Sequence, residues 1–143
     1  MLLPLLAVSL CAGEARIAKV LPSLLDRQGR ASVAPSLYER DAYQAFLRST
    51  PDQIGGLRID VRWKAPRPPS GTVRLRLELR GSNTSTNAPL LIEREVSPPR
   101  WGGSWTQITL DTAARQQLGD LVAWRASLRR DDEEWTSVQS FLW

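Results

Sequence analysis

Val73-Arg74-Leu75-Arg76-Leu77-Glu78-Leu79-Arg80 is the stretch that decides the fold. Apolar and charged residues alternate from one end of it to the other. Successive side chains of a β-strand point to opposite faces, so this segment has one aliphatic face and one charged face. A helix could not segregate that pattern. Upstream, Leu57, Ile59, Val61 and Trp63 alternate with Arg58, Asp60, Arg62 and Lys64 in the same way. Downstream, shorter runs at 90–96 and 105–110 predict two more strands. Val122, Trp124, Ala126 and Leu128 give the apolar face of a fifth, and 135–143 reads as the last. Between them the chain is broken by Pro66, Pro68, Pro69 and Gly71, by a Ser/Thr/Asn loop at 81–89, by Pro98-Pro99 and by the charged hairpin 129–134. The pattern predicts Leu75, Leu77 and Trp124 buried, and Arg74, Arg76 and Glu78 exposed.

Two short helices fit around these strands. Asp111 suits an N-cap for one or two turns through Leu118, and Gly119 suits the left-handed C-cap. The segment 16–56 has a different texture. Leu24-Leu25 leads into Asp26-Arg27-Gln28-Gly29-Arg30, which reads as a turn. Ser36 and Glu39 have capping-box spacing, and Tyr38, Ala42, Tyr43, Phe46 and Leu47 form an apolar stripe until Pro51 stops the helix. The expected architecture is mainly β: an antiparallel sandwich of six or seven strands over 57–143, with the short helix of 16–56 packing on it. With a helical link at 111–118, the region 57–143 resembles immunoglobulin-like or fibronectin-type-III-like sandwiches, without the Cys pair of antibody domains. The stretch 35–44 and the ending Ser140-Phe141-Leu142-Trp143 also resemble those of exported bacterial proteins, a likeness that implies no activity.

Composition excludes several chemistries. The 143 residues contain no His and one Cys, Cys11. A disulfide framework, a Cys/His zinc site, a Ser-His-Asp triad and a histidine general base are all ruled out. Carboxylates, Lys, Tyr, Ser and Thr remain, and no catalytic residue, metal ligand or cofactor motif stands out among them. Glu39 and Asp41 are the one carboxylate cluster beside tyrosines, but helix positions two apart do not share a face. The net charge of +4 rests almost entirely on Arg. A nucleic acid, an anionic glycan or a membrane surface are the partners such a balance can serve, but an excess this small is also ordinary for a soluble surface. The aromatic interleaving of a single-strand nucleic-acid platform is missing, so no nucleic-acid partner is expected.

Trp101-Gly102-Gly103-Ser104-Trp105, beside Arg100, is the segment most suited to ligand binding. Exposed indoles stack on sugars or cations, and Arg100 could pair with an anionic group. The competing reading is that Trp105 opens a core strand and Trp101 covers the end of the sandwich. Asp131-Asp132-Glu133-Glu134 could offer oxygens to calcium, but it lacks the tight-turn Gly and alternating ligand spacing, and reads as a solvated hairpin tip. Arg74, Arg76, Glu78 and Arg80 with Arg58, Arg62 and Lys64 could form one basic face if their strands are neighbours, with Asp60 and Glu78 neutralising part of it. The sequence therefore reads as an exported, non-catalytic binding or structural module meeting a protein or glycan of the cell envelope. A carbohydrate-binding module using Trp101 and Trp105 is one alternative. A small outer-membrane barrel ending on Phe141-Leu142-Trp143 is the other, although the strands are short for membrane crossing.

Residues 1–13, MLLPLLAVSLCAG, are apolar, uncharged and too short to span a bilayer as a helix. They match the hydrophobic region of a secretory signal, although no basic residue precedes them, and Gly13 and Ala15 place small residues where a signal peptidase reads. The Leu10 that precedes Cys11 disfavours lipidation there. Cleavage after Ala15 keeps all 19 basic residues, loses Glu14, and sends the protein to the periplasm or cell surface. Intact-mass analysis of protein recovered from its host is expected to show a chain starting near Arg16. Met1 retained on mature soluble protein would contradict export.

Overall fold

An apolar strand face is stable only against another apolar face, so strands of this pattern must form two layers. The computed structural model describes residues 14–68, 71–84 and 88–143. Its strands are β1 (Arg16–Asp26), β2 (Ile54–Lys64), β3 (Val73–Gly81), β4 (Leu90–Val96), β5 (Ser104–Leu110), β6 (Leu121–Arg130) and β7 (Glu133–Gln139). Helix α1 (Leu37–Ser49) and a 3-10 turn (Pro51–Gln53) lie between β1 and β2, and α2 (Thr112–Leu118) links β5 to β6. One sheet has the order β1-β2-β5 and the other β4-β3-β6-β7, with every neighbouring pair antiparallel. Both sheets are open; the strands do not close into one ring.

The core lies between the sheets. Ile59, Val61 and Trp63 of β2, with Ile108 and Leu110 of β5, join one cluster with Leu75, Leu77 and Leu79 of β3 and Ala126 and Leu128 of β6. The three leucines of β3 are completely buried, as their alternation requires. Trp63 donates its indole N–H to Thr106 Oγ1 at 2.8 Å, so the bulkiest core side chain leaves no polar atom unpaired. Leu118 of α2 is fully buried in the same cluster. The caps of α2 are those the sequence suggests: Asp111 accepts from the Ala114 N–H at 2.8 Å, and Gly119 has φ +76°.

β1 was not among the six expected strands. Its alternation is broken by a register shift between Ile17 and Lys19, which inserts Ala18. Near its other end Leu24 and Leu25 are both covered, so the period of two vanishes there as well. Helix α1 starts as expected, with Ser36 Oγ accepting the Glu39 N–H at 3.2 Å. Of its apolar stripe Leu47 is fully buried, while Tyr38 and Phe46 are exposed. The helix docks on the open edge of β1, with polar groups making the hydrogen bonds. The Gln44 side chain accepts from the Leu24 N–H at 2.7 Å and donates to the Leu24 and Ala31 carbonyls at 2.9 and 2.8 Å. Arg40 donates to Ser23 Oγ at 2.9 Å. Gln44 thus takes the place of a neighbouring strand, and Pro22 offers no N–H, so this edge is blunted against further pairing.

The turn after β1 is organised by Asp26, a buried carboxylate. It accepts the N–H groups of Gln28 and Arg30 at 2.9 and 2.8 Å, the Arg30 Nε–H at 3.1 Å and the Tyr43 hydroxyl. Burial pushes its pKa up, but the donors outweigh it, Tyr43 most and then Arg30, and hold it at about 2. The Tyr43 hydroxyl is correspondingly raised above its ordinary value, first by its hydrogen bond to Asp26.

Three details of the second sheet depart from simple alternation. Val122 is exposed rather than inward, because a register shift between Arg80 and Gly81 displaces the start of β6, and Trp124 is only partly buried. Arg76 and Glu78 are half-buried rather than exposed, since they pair with each other and with Glu93 and Arg125. The last strand ends at Gln139, not at Trp143. Ser140 donates its N–H to the Trp124 carbonyl at 2.9 Å, and Trp143 lays its ring 3.9 Å from the Arg80 guanidinium, leaving Phe141 and Leu142 exposed.

Leu77→Ala is expected to cost about 2–5 kcal/mol in a urea melt, the range for truncating a core leucine. Arg74→Ala, on the exposed face of the same strand, is expected to cost under about 0.5 kcal/mol. Equal losses would mean that β3 faces the other way.

Candidate functional site

The outward row of β2 is Arg58, Asp60, Arg62 and Lys64, because Ile59, Val61 and Trp63 point into the core. The register of β1 places Lys19 opposite Arg62, and Arg16 opposite Lys64. The register of β5 places Trp105 opposite Arg62 on the other side. One row across the outer face of this sheet is therefore Lys19, Arg62, Trp105. Arg16 and Lys64 form the row beside it.

Arg58 and Asp60 neutralise each other at 3.2 Å. One Asp60 oxygen, Oδ1, is buried with no hydrogen-bond partner among the described residues. The other four cations are exposed, and among the described residues, which include every Asp and Glu of the chain, none makes an ion pair. Both cross-strand pairs are like-charged, an arrangement that repels.

Trp105 is 45% exposed, with the Arg62 guanidinium 5.6 Å from its ring centre. That contact is worth about 0.5–1 kcal/mol at an exposed site. Trp101 is 86% exposed in the loop ahead of β5, and Arg100 beside it is exposed. The base of this loop is fixed by Arg67 Nε–H donating to the Pro98 carbonyl at 3.0 Å. Gly103 crosses the end of β2 so closely that a Cβ there would stand 3.0 Å from the Trp63 carbonyl oxygen, and Gly102 turns at φ +70°. The three residues singled out in the sequence thus sit at one end of one sheet but do not form a pocket. Their indoles do not stack on each other: the one aromatic pair among the described residues is Tyr43 and Phe46, at 5.8 Å. The cation against Trp105 is Arg62, not Arg100. Sequence reasoning missed Arg16 and Lys19, since their strand was not recognised, and it missed the Arg62–Trp105 pairing, which needs the register of β2 with β5.

The single basic face considered from the sequence does not form. β2 and β3 belong to different sheets, so Arg58, Arg62 and Lys64 lie on the opposite side of the molecule from Arg74, Arg76 and Arg80. On that second side several of the charges are paired. Arg74 and Arg76 pair with Glu93 at 3.8 and 3.5 Å, Arg76 and Arg125 with Glu78 at 3.7 Å each, and Arg125 with Glu134 at 2.9 Å.

Elsewhere the acidic hairpin is engaged internally. Asp131, at φ +51°, accepts the Thr72 N–H at 3.2 Å, and Arg129 donates to the Asp132 carbonyl at 2.8 Å. Among the described residues no three His, Cys, Asp or Glu side chains converge as a metal site would require. Glu39 and Asp41 are both exposed on α1. At the helical end, a cleft of about 480 Å³ runs between Pro22, Leu24, Ile54, Leu57, Arg48 and Arg115, with Arg115 held by Asp120 at 2.9 Å. No family model matches the chain, and neither a curated protein nor a solved structure matches it.

Proposed function

We propose that this chain is a non-catalytic binding module, exported to the periplasm or cell surface, that meets a glycan through Trp101, Trp105 and the adjoining sheet face. The observation that carries the reading is Trp101, an indole 86% exposed at the tip of an anchored loop. Indoles bury large areas when they find a partner, and stacking on a sugar ring suits their flat apolar face. The immunoglobulin-like type is supported by the strand order: β1, β2 and β5 form one sheet, β3, β6 and β7 the other, and α2 makes the link between sheets. Helix α1, inserted between β1 and β2, departs from that plan. Export rests on the apolar residues 1–13, which lie outside the described residues. Open sheets support a sandwich over the alternative of a small outer-membrane barrel, which requires closure. Among the described residues no helix is long and apolar enough to cross a membrane.

The test is depletion of the purified protein from solution by insoluble cellulose, chitin and peptidoglycan, compared with a Trp101→Ala/Trp105→Ala variant. The wild type is expected to bind at least one of the three. The variant is expected to keep the wild-type melting temperature and to bind at least tenfold more weakly, about 1.4 kcal/mol. Binding unaffected by the double substitution, or no binding to any of the three by the wild type, would overturn the reading.

A further inference from the structure

Charge on the two outer faces is handled differently. On β3, β4, β6 and β7, Arg74, Arg76 and Arg125 pair with Glu78, Glu93 and Glu134. On β1 and β2, four exposed cations stand as two directly opposed like-charged pairs, Arg16 with Lys64 and Lys19 with Arg62, and none has a carboxylate partner. Cross-strand like charges destabilise a sheet, whereas opposite charges help it. Four exposed cations with no carboxylate partner, set beside an exposed indole, suit a ligand that brings negative charge from outside.

We infer that the ligand of this face is an anionic polysaccharide, its acid groups taken by Arg16, Lys19, Arg62 and Lys64 while Trp105 stacks on a sugar ring. This rests on the glycan reading above and names the class of glycan. Strands lie about 4.8 Å apart, so the row Lys19, Arg62, Trp105 spans about 10 Å, and the row of Arg16 and Lys64 lies about 7 Å along the strands. That extent suits two or three linked rings, with cations on two strands and the indole on the third. Arg62 belongs to both halves of it. Its guanidinium already lies against the Trp105 ring, 5.6 Å from its centre, which holds the planar fork ready for a carboxylate.

The same geometry disfavours other polyanions. Membrane docking needs a cluster of apolar side chains that project beyond the cations, and here Trp105 is half-covered while Trp101 stands alone on its loop. A single-stranded nucleic acid needs several stacking positions in succession, and the face offers one indole.

The experiment is affinity electrophoresis and calorimetry with polygalacturonate, its fully methyl-esterified form, and dextran, on the wild type and on Lys19→Gln/Lys64→Gln. Polygalacturonate is expected to bind at low salt and to weaken as salt rises. The double lysine variant, with a melting temperature no lower than that of the wild type, is expected to lose at least tenfold in affinity for it. Methyl esterification of the ligand is expected to have the same effect on the wild type. If the neutral polymers bind as tightly as the acid and the lysine variant binds like the wild type, this inference fails while the Trp101–Trp105 reading stands. If none of these three polymers binds, this inference fails, while the Trp101–Trp105 reading is decided by cellulose, chitin and peptidoglycan. Tighter binding to vesicles containing phosphatidylglycerol, or to oligo-dT, than to polygalacturonate would also overturn it.

Discussion

The rest of the structure depends on one register, that of β1 against β2. Val20 lies opposite Val61 and Leu24 opposite Leu57, and Lys19 lies opposite Arg62. Side chains alternate with a period of two, so a slip by one residue would exchange the faces. Val20 and Leu24 would turn to solvent and Lys19 would turn toward Trp63. The inserted Ala18 lets Ile17 and Lys19 both take their proper sides despite lying two apart. The same register sets where β1 ends, and so where the Asp26 turn forms and where α1 can reach the edge with Gln44. It also sets the two opposed cation pairs. Fold, edge protection and the candidate surface are thus consequences of one pairing.

Asymmetry between the sheets follows from what each outer face meets. The four-stranded face is an ion-pair ladder that runs from Glu93 through Arg76, Glu78 and Arg125 to Glu134. Such exposed pairs contribute little each, about 0–1 kcal/mol, but they offset much of the positive charge along this ladder. The three-stranded face spends no acid beyond Asp60, already turned to Arg58. Its cations lie next to the Trp101–Trp105 segment, and nothing else on the described surface combines exposed indoles with unpaired charge. In the cleft at the helical end two of the polar side chains are already engaged, Gln44 on β1 and Arg115 on Asp120.

Much of the fold was legible because its signals are local. The alternation of 73–80 gave β3 and its buried face, Asp111 and Gly119 bounded α2, and Ser36 with Glu39 marked the start of α1. The losses occur where tertiary context overrides the period. β1 hides behind the Ala18 insertion and behind Leu24-Leu25, both covered on different sides. Val122 and Trp124 were read as one face, but the shift opposite Arg80 breaks that face. Tyr38 and Phe46 looked like a core stripe because apolar spacing cannot say what a helix packs on; here Leu47 is buried, and polar Gln44 and Arg40 make the hydrogen bonds. Trp101, Trp105 and Arg100 were legible as exposed aromatic and basic residues. Their true neighbours, Lys19 and Arg62, were not, because a sheet neighbour far away in sequence is fixed by pairing and not by spacing.

The central claim is that Lys19 and Arg62, directly opposed in the register of β1 and β2, carry a cost in stability that a bound polyanion relieves. Lys19→Glu tests it without any ligand, by thermal denaturation at low ionic strength. Replacing the repulsion by an attraction is worth about 0.2–1 kcal/mol for a cross-strand pair. In a chain of this size that raises the melting temperature by about 1–4 °C. The rise should shrink in 1 M salt, where the screening length falls to about 3 Å. A melting temperature that falls, stays unchanged, or rises equally in high salt would contradict the account.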